Sequence, residues 1–532
     1  MTPGPWYSRV GSLFPPDTPA IVRLILATLS GAILSLSFRD AHSSVYSWFC
    51  LALLLVSVLD ARTPVAFFCG FLHGLCFVLT CVPWIAVVLA VHGGMSTTAG
   101  WGVLLLIASV WGCSIGLFTW VVLRLSRLGH GLALVGAPFL WISTEVLRAY
   151  LPEISFPWGL LGYPAAGNAA IVQLTTVTGI YGVSFLVAGF NALLVWILAA
   201  PAGHKTRRVA MSSGVAAILL GIAWVGPRFV PRADAHHVAR VVQPNFPETE
   251  GYEGDWYADH KADLAELEQL SLRLSPNGEK PDLLVWPEAP APFSFQDPHF
   301  GPYISDLARK FGDPVIVGVI DWKLASDAGG KIPRTRLVPY NSAAMLNAQG
   351  QESFLYDKIH LVPFGEYEPF PLIHQVVTSV SEEVGGFHKG KARNVGKFPN
   401  GNTFSVFICY EAIYAGEIRE FANNGAELLI NISNDGWFGK SVAAEQHIQM
   451  ARVRAVENRR WLVRDTNSGI TASIDPYGNE LRVMARDTRG SADVPYDFRT
   501  DKTIYTRFGD WFAWMCVGVS AILIALTFRK AK

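Results

Sequence analysis

The chain has 532 residues, of which 51% are apolar and 16% charged, and its 43 Lys and Arg balance 43 Asp and Glu. Soluble proteins usually carry about 25% charged residues, so the shortfall points to a membrane protein, and the length admits two or more domains. No basic stretch interleaves with aromatic residues, which excludes a nucleic-acid partner.

The apolar residues crowd into the first 226 positions and the last 22. A bilayer-spanning helix needs about 20 apolar residues. Eight stretches read as spans, the second and fifth of them short: 21–38, 45–59, 64–89, 98–123, 132–147, 171–198, 209–225 and 511–528. The first starts late and lacks a small-residue cleavage site, as expected of an uncleaved start-transfer segment. Arg62, Arg124 with Arg127, and Lys205 with Arg207 and Arg208 follow the second, fourth and sixth stretches, and Arg529, Lys530 and Lys532 follow the eighth. The loop at His92-Gly93-Gly94 has no cation, while Arg39 and Arg148 oppose the trend. The positive-inside rule then places both termini in the cytoplasm and the region after the seventh stretch outside, the periplasmic side in a bacterium. Residues 148–163, RAYLPEISFPWGLLGY, are too polar to span and too apolar for an ordinary loop. They read either as an arm at the outer bilayer surface, with Phe156-Pro157-Trp158 exposed, or as an aromatic-belt anchor.

The expected organisation is a membrane domain over 1–226 with about seven spans, a polar domain over 227–509, and a last span over 510–532. In the polar domain, strand-like runs recur at 238–242, 283–286, 315–320, 343–346, 405–409, 428–432 and 470–474, with helical patterns at 257–273 and 443–460. Pro476-Tyr477-Gly478-Asn479 reads as a hairpin turn. Alternating strands and helices predict an α/β layered domain.

Four stretches at the ends of strand-like runs carry chemistry. In LLVWPEAP, Pro287 presets a turn that projects Glu288, a general-base candidate. In YDKIHLVPFGEYEPF, Lys358 lies in an apolar context ahead of Glu366, and a lysine beside a nucleophile lowers a thiol pKa or stabilises an oxyanion. In TFSVFICYE, a buried strand runs into Cys409 with Glu411 two residues on. Cys409 is the only cysteine of the polar domain, so no disulfide forms within that domain; the other six, Cys50, Cys69, Cys76, Cys81, Cys113 and Cys516, lie in apolar segments. It reads equally as a nucleophile or as a small buried core residue. In LINISNDGWFG, Asn434-Asp435-Gly436 precedes Trp437 and Phe438, which form a pocket wall or a turn packed inward. Singly each signal is weak. Together they supply a base, a cation and a thiol, the set needed for acyl transfer through a thioester. No metal-ligand pattern is present and no cofactor is expected.

The order Glu, Lys, Cys in WPE, K-x-H-L-V-P-F-G-E and C-Y-E resembles the nitrilase superfamily. Set between seven spans and an eighth, it resembles that superfamily's membrane-embedded apolipoprotein N-acyltransferase family. The resemblance extends to Phe156-Pro157-Trp158, to Val242-Gln243-Pro244-Asn245 (with Pro244 where the family usually has glycine), to Gln446-His447-Ile448-Gln449-Met450-Ala451-Arg452 and to Asn467-Ser468-Gly469-Ile470-Thr471-Ala472. It implies an α-β-β-α sandwich for the polar domain, with Glu288 as base, Lys358 as oxyanion stabiliser and Cys409 as acyl carrier. Glu366 and Glu411 are implied as supporting carboxylates, Trp437 and Phe438 as substrate neighbours, and Trp256 as a mobile-loop tryptophan after the insertion 248–255. The implied reaction moves an acyl chain from a phospholipid, typically phosphatidylethanolamine, to the α-amino group of a diacylglyceryl-cysteine at an apolipoprotein N-terminus. The implied place is the bacterial inner membrane, with the polar domain periplasmic, and a monomer is the default. The rival readings are a membrane-tethered amidohydrolase with water as acceptor, a transporter with a ligand-binding domain, for which Glu145 is the main intramembrane ionisable group, and a scaffold without activity.

Overall fold

Uninterrupted apolar runs form helices, because a helix satisfies its own backbone hydrogen bonds without water. The computed structural model describes residues 18–40, 42–151, 155–199, 202–247, 256–275, 278–288, 295–324, 337–367 and 386–529. Among these, five helices are long and apolar enough to cross a membrane: Thr63–Cys81, Thr97–Ser126, His130–Tyr150, Ile180–Leu198 and Trp511–Phe528. Shorter apolar helices, Ala20–Leu36, Ser43–Val58 and Arg208–Trp224, stand where the first, second and seventh spans were predicted. Two predicted spans are broken. The third stops at Cys81 and restarts as Trp84–Val91, around Pro83, which has no N–H to give a helix. The sixth begins only at Ile180, because Gly179 sits at φ +63° between Thr175–Thr178 and Ile180–Leu198.

The chain divides into two compact units, one of Met1–Ala86, Trp101–Pro231 and Phe508–Lys532, the other of Val87–Gly100 and Arg232–Arg507. In the first, the aromatic segment after Arg148 turns inward, contrary to the exposed arm predicted. Trp158 is fully buried, with its ring 4.9 Å from Trp84 and 5.8 Å from Phe156. Glu145, buried on His130–Tyr150, explains this. One carboxylate oxygen accepts the Trp141 indole N–H (3.0 Å) and the Leu161 backbone N–H (2.7 Å), pinning the segment to the helix.

Among the described residues the second unit contains twelve strands: β1 His237–Gln243, β2 Leu283–Val285, β3 Val315–Leu324, β4 Leu337–Leu346, β5 Glu352–Asp357, β6 Gly396–Lys397, β7 Thr403–Ile408, β8 Leu428–Ser433, β9 Trp461–Thr466, β10 Ala472–Ile474, β11 Glu480–Arg482 and β12 Gly490–Tyr496. They form two six-stranded sheets of order β12-β1-β2-β3-β4-β5 and β11-β10-β9-β8-β7-β6. Each has three parallel strands, β1-β2-β3 and β7-β8-β9, flanked by antiparallel ones. Side chains alternate across a strand. Ala239, Val241, Leu283, Val285 and Ile316 therefore face the second sheet's Phe404, Val406 and Ile430 in one core. The intervening Val242, Leu284, Val315 and Val317 face Leu267 of the helix Lys261–Leu272 and Phe300, Ile304 and Leu307 of the helix Phe300–Phe311. The helices Ala415–Asn423 and Ala443–Asn458 contribute Ile418, Phe421, Ile448 and Ala451 to the core of the second sheet. The result is an α-β-β-α sandwich. The predicted hairpin joins β10 to β11, with Asp475 accepting from Gly478 N (2.9 Å) and Gly478 at φ +86°.

Candidate active site

Ligand sites in α/β sheets form beyond the carboxyl ends of parallel strands, and the predicted chemistry lies there. Glu288 follows β2 by three residues. Trp286 anchors that exit, being fully buried with its indole N–H on Ser271 Oγ (3.0 Å), and Gly318 N donates to Pro287 O (3.2 Å). Lys358 extends the β5 ladder by one bond, its N–H donating to Asn341 O (2.8 Å). Its side chain is 1% exposed, and Nζ donates to Glu288 Oε1 and Glu366 Oε1, both at 2.9 Å. Glu366 comes from the Pro-Phe-Gly turn, where Phe364 takes φ +62°, and its other oxygen accepts Val362 N (2.8 Å). Charge-assisted bonds of this kind are about twice as strong as neutral ones.

Asn341, in the middle of β4, completes the group. Its amide nitrogen donates to Glu288 Oε1 (2.8 Å) and to Glu366 Oε1 (2.6 Å). Both carboxylates are thus held by the same two donors. Glu288 Oε2 is buried with no hydrogen-bond partner among the described residues. An acceptor oxygen left open beside a fixed one is what a base needs.

Cys409 is the first residue beyond β7 and opens the 3-10 turn Cys409–Ile413. Its φ of +47° is a left-handed conformation for a non-glycine residue, which costs about 1–3 kcal/mol and must be held by its surroundings. Glu411 supplies part of the hold. One oxygen accepts Ile408 N (2.7 Å), and the other accepts Tyr356 Oη–H (2.8 Å), Ile359 N (2.7 Å) and His360 N (3.1 Å). A single buried carboxylate therefore ties the Cys409 turn to the Tyr356 hydroxyl and to the backbone just after Lys358.

Burial pushes the Cys409 thiol above its usual range; the charge of Glu288 adds to this, and Lys358 works against it. For Lys358 burial opposes the charge, but Glu288, Glu366 and Cys409 outweigh it, lifting its pKa above the usual lysine value. At neutral pH the resting site is therefore a neutral thiol beside a fixed ammonium, and the thiol needs a base at the moment of attack.

The structure brings Glu288, Lys358, Glu366, Cys409 and Glu411 together. Trp437 and Phe438 lie on the 3-10 turn Asp435–Phe438 after β8. Phe438 stacks edge-on against His447 at 5.7 Å, and the Trp437 ring lies 4.5 Å from that of His92, in the Val87–Gly100 segment of the same unit. Trp256 opens the short helix Trp256–Asp259 between β1 and β2. Sequence reasoning missed Asn341 as a site residue; the signal was an amide in the middle of a strand whose next five residues are all buried. It also gave no role to Asp435, His447 or Arg464, all buried beneath Cys409. Among the described residues no cluster of His, Cys, Asp or Glu could hold a metal ion.

The paired sheets define the second unit as a carbon-nitrogen hydrolase domain of the nitrilase type: the family model described as "Carbon-nitrogen hydrolase" matches residues 238–497. A second family model, "Apolipoprotein N-acyltransferase N-terminal domain", matches residues 30–193. An apolipoprotein N-acyltransferase of Geobacter metallireducens is 33% identical, covering 97% of both chains, and one of Rhodopseudomonas palustris is 30% identical, covering 95% of both. The chain belongs to the apolipoprotein N-acyltransferase family. Among solved structures, an amidase from Nesterenkonia sp. is 16% identical with a TM-score of 0.35, covering 53% of this chain and 95% of its own.

Proposed function

We propose that this chain transfers an acyl chain from a phospholipid, by way of a thioester on Cys409, to the α-amino group of the N-terminal diacylglyceryl-cysteine of an apolipoprotein. The observation that carries the reading is the open oxygen of Glu288 in a site where Lys358 is held by both glutamates. In the first half-reaction Glu288 Oε2 takes the thiol proton as Cys409 Sγ attacks the ester carbonyl carbon. Lys358 Nζ stabilises the negative charge that builds on the carbonyl oxygen. Collapse breaks the acyl C–O bond, and the leaving glycerol oxygen takes the proton from Glu288, releasing lysophospholipid. In the second half-reaction the amine attacks the thioester carbon, Glu288 receives an amine proton, and Cys409 leaves as a thiolate that takes the proton back. Asn341 and Glu366 keep Glu288 and Lys358 in register, and Glu411 holds the turn.

Trp437, Phe438 and Trp256 are assigned to the substrates. The donor is phosphatidylethanolamine and the working unit a monomer. The five long helices and three shorter apolar ones are assigned as eight spans, as Arg62, Arg124, Arg127 and Arg529 on alternate loops support. That assignment puts the polar domain over 227–509 on the periplasmic side of the inner membrane, where both lipid-anchored substrates reside.

The test is transfer in detergent micelles from phosphatidylethanolamine to a synthetic diacylglyceryl-cysteine lipopeptide. The expected product is the N-acylated lipopeptide with one lysophospholipid released per transfer. Free fatty acid in place of the N-acyl product would instead identify water as the acceptor and a hydrolase.

A further inference from the structure

Cys409 holds a backbone conformation that an L-residue avoids, and Glu411 fixes only the N–H entering the turn. The carbonyl of Cys409 is held from below. His447, on the helix Ala443–Asn458, is fully buried, and its Nε2 lies 3.0 Å from Cys409 O. A carbonyl oxygen only accepts, so Nε2 carries the proton and donates it. The other ring nitrogen, Nδ1, lies 3.0 Å from Asp435 Oδ1 and 3.2 Å from Arg464 Nη2. Arg464 Nη2 in turn donates to both oxygens of Asp435 at 2.8 Å, and Nη1 to Asn431 Oδ1. Asp435, Arg464 and His447 have no exposed side-chain surface. The same cluster reaches the thiol side of Cys409: Ser433 Oγ is 3.1 Å from Asp435 Oδ1, and a hydrogen bond to Ser433 favours the thiolate.

We propose that His447, oriented by the Asp435–Arg464 pair, is a positioning residue whose Nε2–H holds the Cys409 carbonyl and so fixes the nucleophile's turn in its left-handed conformation. Desolvation and the charge of Arg464 lower the His447 pKa, against Asp435 and the Cys409 carbonyl, which raise it; with the proton on Nε2, Nδ1 accepts from Arg464 Nη2, which also bonds the Asp435 carboxylate. Space around the pair is fixed as well, since a Cβ on Gly469 would fall 2.2 Å from Asp435 Oδ2. Among the described residues the cluster's hydrogen bonds run to the Cys409 carbonyl and to Ser433 on the thiol side, and the bond from His447 itself acts on where Sγ points. The inference rests on the reading of Cys409 as acyl carrier.

The test compares two isosteric variants of the full-length protein. His447→Gln places an amide N–H where Nε2 stood, and His447→Asn places one where Nδ1 stood. The rate of Cys409 acylation by phosphatidylethanolamine is read by intact mass in a single turnover, beside KM for the lipid and the thermal midpoint of each protein. Misplacing a reacting atom by an ångström costs about 100-fold in rate. His447→Gln is expected to acylate within a few-fold of wild type and His447→Asn to lose about that factor, with KM unchanged and the two midpoints alike. Equal rates in the two variants, or losses that follow the thermal midpoint, would overturn the proposal, as would failure of both to fold, which would make the cluster a folding element. If wild type itself forms no adduct, the acyl-carrier reading fails; if wild type acylates and the variants do not separate, only the positioning inference fails.

Discussion

Replacing Glu288 by glutamine should move two properties of Cys409 in opposite directions. Lys358 and Asn341 both point donors at Glu288 Oε1, so the replacement amide must keep its oxygen there and turn its NH2 to the open side. The packing is kept, and the one atom able to accept the thiol proton is lost. General-base catalysis contributes about 10²–10⁴-fold, and acyl transfer should fall by that amount. The same substitution deletes a negative charge that raises the thiol pKa. A like charge within about 4–6 Å is worth on the order of 3 kcal/mol at an effective dielectric of about 20, and its removal lowers the thiol pKa. The thiolate fraction at pH near 9 should rise accordingly, and alkylation by iodoacetamide should quicken by about tenfold or more. The assay is mass-resolved alkylation of Cys409 beside acyl transfer, for wild type and Glu288→Gln at one pH. Alkylation that slows in step with transfer would refute the placement of Glu288 as the charge and base beside the thiol.

Other substitutions probe the supporting groups. Asn341→Leu removes the amide that holds both carboxylates; a bond to a charged group is worth about 1.5–3 kcal/mol, so kcat should fall about tenfold or more, and the thermal midpoint should fall with it. Glu411→Gln leaves at least one of four donors facing an NH2, which should cost about 1–3 kcal/mol in a denaturant titration. Glu417 has its pKa lowered: burial opposes this, but His360 and Arg393 outweigh it. Its pairing therefore stabilises the fold above the ordinary glutamate value of 4.5, and that contribution is lost as pH falls through the lowered one. Arg393→Met should accordingly lower the thermal midpoint at pH 7, and the gap to wild type should close in acid.

What was legible in the sequence was local. Glu288, Lys358 and Cys409 each end a strand-like run, and a strand end is marked by a few adjacent residues: Pro287 after Trp286, or the β-branched and aromatic run before Cys409. The helix Ala443–Asn458 and the β10–β11 hairpin were legible for the same reason. What depends on distant partners was not. Asn341 acquires its role only when β4 brings it to carboxylates 53 and 25 residues away in sequence. β9 went unread because Arg464 and Asp465 break its apolar pattern, yet both are fully buried, Arg464 against Asp435 and Asp465 against Val242 N. The exposed arm was misread because the burial of Trp158 depends on Glu145, Trp84 and Phe156, and its own residues do not show it. Hydropathy alone also ran two predicted spans through Pro83 and Gly179, where backbone chemistry interrupts the helix.

The central claim is a covalent acyl-enzyme on Cys409, and intact-mass analysis after incubation with phosphatidylethanolamine tests it most directly. The expected result is a gain of one acyl chain in wild type, removed by hydroxylamine and absent from Cys409→Ala. An adduct that persists in Cys409→Ala, or lipopeptide acylation by that variant, would contradict the account.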